Sequence, residues 1–436
     1  MAEEIKIKLA FPILREAGAY KGLLMDQLAQ PSRFHATREA TDTAHPALLS
    51  QPPTEEQLLR LAERALYRQL LPPLAALQAC IIIPAKDEAT TLPATLAALA
   101  AQTTLAGQAL PTGMIEVIVL ANNCLDRTAA AVRQAGRRHP NLVVHVAEVQ
   151  LPRPQAHVGR ARRLLLDEAA LRLEKTIGPT GVLLSTDADT LVASTWVAAT
   201  LHEIEHGAEA VGGRILTQTP AAVEPCPVRR IQLRDAAYRV LLRQLEDKLD
   251  PCTADRWPCH HQHYGASLAL TVRAYRQVGG LPVVPFLEDE QLWQLLLKHD
   301  LPVRHSPHVQ VYTSARRCGR VEVGLSWQLR EWENLTEQQR EPLVPCPHEL
   351  VRVWSARRRL RAWWQAGQHA SGPELVRLAR AVEVPVGELL GQARQAKTFG
   401  QLWQWIETTR GAVLPVPLGG ALHDLRKYLR EGVNGC

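Results

Sequence analysis

Four short apolar runs, ACIIIPA (79–85), MIEVIVLA (114–121), LVVHVAEV (142–149) and GVLLSTD (181–187), constrain this chain more than any other feature. Between them lie three stretches with helical character, TTLPATLAALAAQ (90–102), DRTAAAVRQAGRR (126–138) and GRARRLLLDEAALRLEK (159–175). The first run is β-branched and wholly apolar, as a strand buried on both faces is. Pro93 stands in the first turn of the helix that follows, where its missing N–H costs nothing. Strands alternating with helices at this interval indicate a parallel α/β sheet covered on both faces. Ligands of such sheets bind beyond the carboxyl ends of the strands. Those ends are therefore the place to look for chemistry.

All four ends are polar. The first gives Pro84-Ala85-Lys86-Asp87-Glu88, and the second gives Asn122-Asn123-Cys124-Leu125-Asp126-Arg127-Thr128. The loop after the third gives His157-Val158-Gly159-Arg160-Ala161-Arg162-Arg163, and the fourth ends in Asp187-Ala188-Asp189. Singly, each has an ordinary explanation, because Asp and Asn at strand–helix junctions are common caps and turn formers. Asp126 stands where it can cap the next helix. Asp187 and Asp189 either hold a metal ion or form a turn; if the segment stays extended, side chains at i and i+2 point the same way. Four polar ends in order on one rim favour a site.

The series CIIIPAKDEATTLPATLAAL, VIVLANNCLDRTAAAV, GRARRLLLDEA and LLSTDADT resembles the nucleotide-sugar domain of family 2 glycosyltransferases. A later segment, HYGASLALTVRAYRQVGGLPVVPFLEDEQLWQLLLKHD (263–300), resembles the second half of that domain. The resemblance covers roughly residues 78–325. It implies an α/β, GT-A-like fold, with a mixed, mostly parallel sheet between helices at 79–325. Helical extensions would occupy 1–78 and 326–436.

The implied activity is a metal-dependent, inverting, non-processive transfer of one sugar from a nucleoside-diphosphate sugar to an acceptor hydroxyl. A divalent cation, Mn²⁺ or Mg²⁺, suits a departing diphosphate, and carboxylates are its natural ligands. By resemblance, Asp189 holds the ion and Asp187 reaches the ribose, or the ion through water. Pro84, Ala85 and Glu88 lie where the family packs base and ribose. Asn122 and Asp126 fall on the nucleotide side, and Arg162 is expected at phosphate or base. Asp289 is the expected general base, with Glu288 supporting it. Their other reading is an acidic first turn favoured by the helix dipole. Tyr264, Gly265 and Ala266 are expected to line the acceptor pocket, and Arg316 and Arg317 to close over the diphosphate. The chain departs from the family at Ala121 and Asn122, where acidic residues are frequent, so the donor base is left open. Gln328-Leu329-Arg330-Glu331-Trp332 is one residue out of step with the Gln-x-x-Arg-Trp of processive synthases.

Composition bounds the partners. A net charge of +6 over 436 residues suits phosphorylated ligands and is too weak to imply nucleic-acid binding. The start, MAEEIKIKLAFPILREAG, has no signal-peptide pattern, and no run is long enough to cross a bilayer, so a cytoplasmic address is expected. The eight scattered cysteines read as thiols. WSARRRLRAWW (354–364) reads as a helix packing its tryptophans, or as one resting on a membrane surface near a lipid acceptor. CTADRWPCHHQHYG (252–265) reads as a polar loop beside the acceptor pocket, with zinc binding as the other option, and His305 or His308 as a third ligand for the catalytic ion. The acceptor (small molecule, saccharide or lipid) and the oligomeric state are left open. The rival readings are a nucleotidyltransferase, disfavoured because AKDEATT lacks the glycine-rich loop, and a non-catalytic sugar-nucleotide-binding protein, which has no need of a base at Asp289.

Overall fold

The alternation of strands and helices builds one eight-stranded sheet, in the order β3-β2-β1-β4-β7-β6-β8-β5. The computed structural model describes residues 54–217, 226–314, 324–367 and 372–432. β1 (Ala79–Ala85) lies parallel between β2 (Ile115–Asn122) and β4 (Val182–Ser185), and β3 (Val143–Val149) continues parallel beyond β2. Beyond β4 the direction changes. β7 (Leu268–Thr271) pairs antiparallel with both β4 and β6 (Ala210–Thr217), and β6 runs parallel with β8 (Val303–Thr313). β5 (Thr190–Val192) closes the far edge, antiparallel to β8. The result is a mixed sheet, parallel in the half where the sequence pattern is regular.

Side chains alternate across β1 as pleating requires. Ile81 and Ile83 pack with α2 (Leu92–Ala100), α3 (Thr128–Arg138) and α5 (Trp196–Glu205). Cys80 and Ile82 face the other way, towards α4 (Val158–Glu174), α7 (Val272–Gln277) and α8 (Glu288–Lys298). All four are fully buried, and an isoleucine so placed contributes roughly 1.5–3 kcal/mol. Ahead of the sheet, α1 (Glu55–Gln69) starts with a capping box between Thr54 and Gln57. The Gln69 side chain bonds the backbone O and N of Glu148, at 3.1 and 2.9 Å, and so covers part of the β3 edge. Residues 1–53 of the expected helical preamble lie outside the described residues.

A buried ion cluster ties β2 to α4. Arg172 grips Glu116 through Nε at 2.6 Å and Nη2 at 2.7 Å, and His145 Nε2 stands 3.3 Å from the same carboxylate. Burial raises the Glu116 pKa, but Arg172 and His145 outweigh it and hold the group down at about 2. A depressed carboxylate stabilises the fold above its unfolded value and loses that contribution as pH falls through the folded one. Stability of about 3 kcal/mol is therefore expected to disappear between the ordinary value of 4.5 and about 2. Urea midpoints measured against pH should fall less steeply over that window in Glu116→Gln than in the parent.

The later helices form two further cores. α6 (Pro227–Leu249) shares one with α10 (Pro347–Gln365) and α14 (Leu418–Glu431), through Tyr238, Leu242, Leu350, Trp354 and Leu422. α10, α11 (Gly372–Ala381), α12 (Val386–Gln395) and α13 (Phe399–Thr409) form the other, around Leu360, Trp363, Leu378, Leu389 and Trp403. α9 (Leu325–Glu337) precedes a two-stranded ribbon of β9 (Leu343–Pro345) and β10 (Pro415–Pro417). Trp354 and Trp363 are buried, while Arg358 and Arg359 face outward. Among the described residues no helix is long and apolar enough to cross a membrane.

Candidate active site

The first two strand ends are laced to each other. Asp87 adopts a left-handed φ of 53°, and its Oδ1 accepts from Leu125 N at 2.6 Å and Asp126 N at 3.3 Å. In return Asp126 Oδ2 accepts from Ala89 N at 3.0 Å, and its Oδ1 accepts from Thr128 N at 2.9 Å. Asp126 thus holds the start of α3 and the β1–α2 loop together. Glu88 donates its N–H to Thr128 Oγ1 at 2.9 Å, and its carboxylate accepts from Thr91 Oγ1. Pro84 and Ala85 sit just before this knot, Ala85 buried and Pro84 half-buried. Asp87, Cys124 and Asp126 offer ligand atoms within 4.8 Å of one another, and the same hydrogen bonds run through the cluster.

Asn123 joins the end of β2 to the segment after β3, giving Nδ2 to Leu151 O at 3.0 Å and accepting from Leu151 N at 2.9 Å. Its neighbour Asn122 is buried, and its Oδ1 has no hydrogen-bond partner in the protein. A buried acceptor left unbonded is costly, and a ligand donor is one way to satisfy it.

The Asp187–Asp189 segment does not stay extended. β4 stops at Ser185, and Thr190 N donates to Asp187 O at 3.2 Å, closing a turn that starts β5. Thr95 Oγ1 fixes the turn by donating to Ala188 O at 3.1 Å. Turn and carboxylate pair therefore coexist, and the shared direction of an extended i, i+2 pair does not apply. The two carboxylates still act on each other. Burial pushes the Asp187 pKa up to about 6, Asp189 and Asp289 push the same way, and Arg162 opposes them.

Arg162 organises the rest. It rises from the start of α4, where the His157 side chain caps the helix by accepting from Arg160 N at 3.3 Å. Its guanidinium is buried; Nη2 bonds Asp187 Oδ1 at 2.9 Å, and Nη1 bonds Glu288 Oε1. Both terminal nitrogens thus meet carboxylates of the protein, where the resemblance implies a phosphate or base contact. Burial raises the Glu288 pKa to about 7, with Arg162 opposing and Asp289 adding to the rise.

Gly265 lies against this guanidinium: a Cβ there would stand 2.3 Å from Arg162 Cζ. Only glycine lets the 264–267 turn approach so closely. The approach matters because Gly265 N donates to Asp289 Oδ2 at 2.8 Å, while Ser185 Oγ and Thr186 Oγ1 hold Gly265 O and Ala266 O at 2.8 and 3.0 Å. Asp187, Arg162, Gly265, Glu288 and Asp289 are thereby gathered into one connected group. Gly265 and Ala266 are buried, and Tyr264 is half-buried beside them. Arg316 and Arg317 lie outside the described residues.

Hydrogen bonds tie the 252–265 loop to β8. Asp255 bonds His305 Nδ1 at 2.6 Å and His305 N at 2.8 Å, and His260 Nε2 lies 3.0 Å from Ser306 O. Among the described residues, the loop contributes to no group of three ligand atoms close enough for one ion. His308 is exposed.

The sequence named Arg162, Gly265, Glu288 and Asp289 but not the bonds between them. Arg162 and Glu288 are 126 residues apart, and no spacing rule links them. Gly265 carried a signal, a glycine beside small residues before an apolar strand, but its cause is the guanidinium beneath it.

The family model for Glycosyl transferase family 2 matches residues 80–253. Similar solved structures include the mannosyltransferase PcManGT from Pyrobaculum calidifontis in complex with GDP-Man and Mn²⁺ (16% identity, 87% of this chain and 96% of that chain, TM-score 0.39). Others are S. aureus TarS 1-349 in complex with UDP-GlcNAc (14% identity, 76% and 90%, TM-score 0.39) and M. tuberculosis glucosyl-3-phosphoglycerate synthase (16% identity, 67% and 87%, TM-score 0.33). No curated protein matches the sequence.

Proposed function

We propose that this chain, whose residues 80–253 match the Glycosyl transferase family 2 model, is a glycosyltransferase that moves a single sugar from a nucleoside-diphosphate sugar to an acceptor hydroxyl with inversion. The observation that carries the reading is the gathering of Asp187, Arg162, Glu288 and Asp289 around Gly265 at the carboxyl ends of the strands. Fold alone does not assign the chemistry; the grouped acids supply its parts. Asp289 takes the proton from the acceptor hydroxyl as its oxygen bonds to the anomeric carbon. The bond from that carbon to the diphosphate oxygen breaks on the opposite face, and the electron pair leaves with the nucleoside diphosphate.

The donor set at the Asp187–Asp189 turn consists of hard carboxylate oxygens, which fit Mn²⁺ or Mg²⁺. Asp189 would hold the ion, with Asp187 shared between it and Arg162. Once bound, such an ion offsets the charge gathering on the leaving diphosphate. Arg162 keeps Asp187 and Glu288 in place, and Asn122 Oδ1 stands ready for a hydrogen-bond donor on the nucleotide. Tyr264 borders the acceptor side. The exposed arginines of α10 leave contact with an anionic membrane surface open to a lipid acceptor.

A thermal-shift panel of GDP-, UDP- and other nucleotide sugars tests the reading. At least one donor should raise the midpoint in the presence of Mn²⁺ and lose the effect with chelator, because ligand bound to the native state stabilises by mass action. Equal shifts with and without the ion would remove the metal role.

A further inference from the structure

The start of α8 has an unusual entry. Leu287, the residue before the helix, sits at a left-handed φ of 60°, and its own side chain offers no cap. A branched aliphatic residue in that region is strained, and an uncapped helix start frays unless something outside holds it. Here the holding falls to three consecutive acids, each on a different anchor. Glu288 bonds Arg162, Asp289 bonds Gly265 N, and Glu290 Oε2 meets His263 Nε2 at 2.8 Å.

Glu290 and His263 lie away from the reacting groups, yet they join the same two segments as the Asp289–Gly265 bond. His263 is two residues before Gly265, and Glu290 follows Asp289. The His263 ring lies flat on Trp293 of the same helix, with centroids 4.3 Å apart and planes 9° from parallel. His305 packs on Trp293 from 4.5 Å and is itself held by Asp255. Glu290 Oε1 also accepts from Gln294 Nε2 at 3.0 Å, so the carboxylate has a fixed orientation. Glu290 N in turn donates to Asp289 Oδ1 at 2.8 Å. Rotation of the first turn of α8 would move Asp289, and the Glu290–His263 tie opposes that rotation.

We infer that Glu290 and His263 are positioning residues: their bond sets the direction of the Asp289 carboxylate towards the acceptor. The inference rests on the proposed role of Asp289 and extends it to two residues with no direct part in the reaction. A misplacement of about 1 Å in a catalytic group costs on the order of 100-fold in rate.

The test uses the full chain and the nucleotide sugar giving the largest Mn²⁺-dependent thermal shift, with turnover read as nucleoside diphosphate released. Glu290→Ala should lower kcat by about 10- to 100-fold with the donor KM and the melting midpoint close to those of the parent. Glu290→Gln keeps an oxygen for His263 and should recover most of the rate. His263→Phe keeps the stack on Trp293, loses the bond and should match Glu290→Ala, and the double variant should lose no more than either alone. Amide exchange at Gly265, which needs no substrate, should quicken in Glu290→Ala. A kcat within about twofold of the parent in Glu290→Ala, or additive losses in the double variant, overturns the positioning role. Full activity in Asp289→Asn would instead overturn the base assignment beneath it, so the two failures are told apart.

Discussion

Asp289→Asn is expected to lower turnover by about a thousandfold while leaving donor affinity nearly unchanged. The substitution keeps one oxygen to accept from Gly265 N, and gives up the bond from Glu290 N together with the capacity to take a proton. The nearby charges that fix the donor side, Arg162 on Asp187 and Glu288, are untouched. Steady-state kinetics with saturating donor, together with calorimetric donor binding, separate the two effects. A donor affinity that falls in step with the rate would place Asp289 on the donor side and leave the acceptor hydroxyl without its base.

The second large effect is on stability. Asp250, at the end of α6, is buried and takes forked contacts from two arginines of α10, Arg357 through Nε and Arg361 through Nη1 and Nη2. The network continues from Arg357 Nη2 to Glu246 at 2.6 Å, and from Arg243 to Glu246 and to Asp255 at 2.9 Å. Removing one partner of such a group leaves charge without compensation, which costs more than the pair contributed. Asp250→Ala is expected to destabilise by about 3 kcal/mol, the lower end of the range for buried pairs because Arg361 is partly exposed. Urea unfolding reads this out, and Asp250→Asn, which keeps the shape and one acceptor, should lose less. An unchanged midpoint would mean that the apolar core of α6, α10 and α14 alone holds these helices together.

The legible part of the fold was the part written in local pattern. β1 to β4 and the helices between them came within a few residues of their sequence positions, because each strand is a short apolar run and α2 to α4 separate them at regular intervals. The antiparallel half was less legible: β5 and β7 are three and four residues long, and their partners lie far along the chain. At the site, acids at strand ends were visible as acids. The turn that bends Asp187 to Asp189 was one of two readings and is present; the other, an ion held by the pair, is the proposal. Asp126 and Glu88, expected beside the nucleotide, also lace two loops. Arg162, expected at phosphate or base, also bridges Asp187 and Glu288. Such outcomes follow from pairings more than 20 residues apart, which no periodicity encodes.

The central claim is that the Asp187–Asp189 turn and the Arg162–Glu288–Asp289 group together form a metal-dependent donor site for glycosyl transfer. Calorimetric titration of the panel's strongest nucleotide sugar tests it most directly, into the parent and into Asp189→Asn, each with Mn²⁺ and with chelator. Binding by the parent that requires Mn²⁺, and loss of that binding in Asp189→Asn, is the predicted result. Equal affinity in the parent and the variant, or no binding to the parent with the ion present, would contradict it.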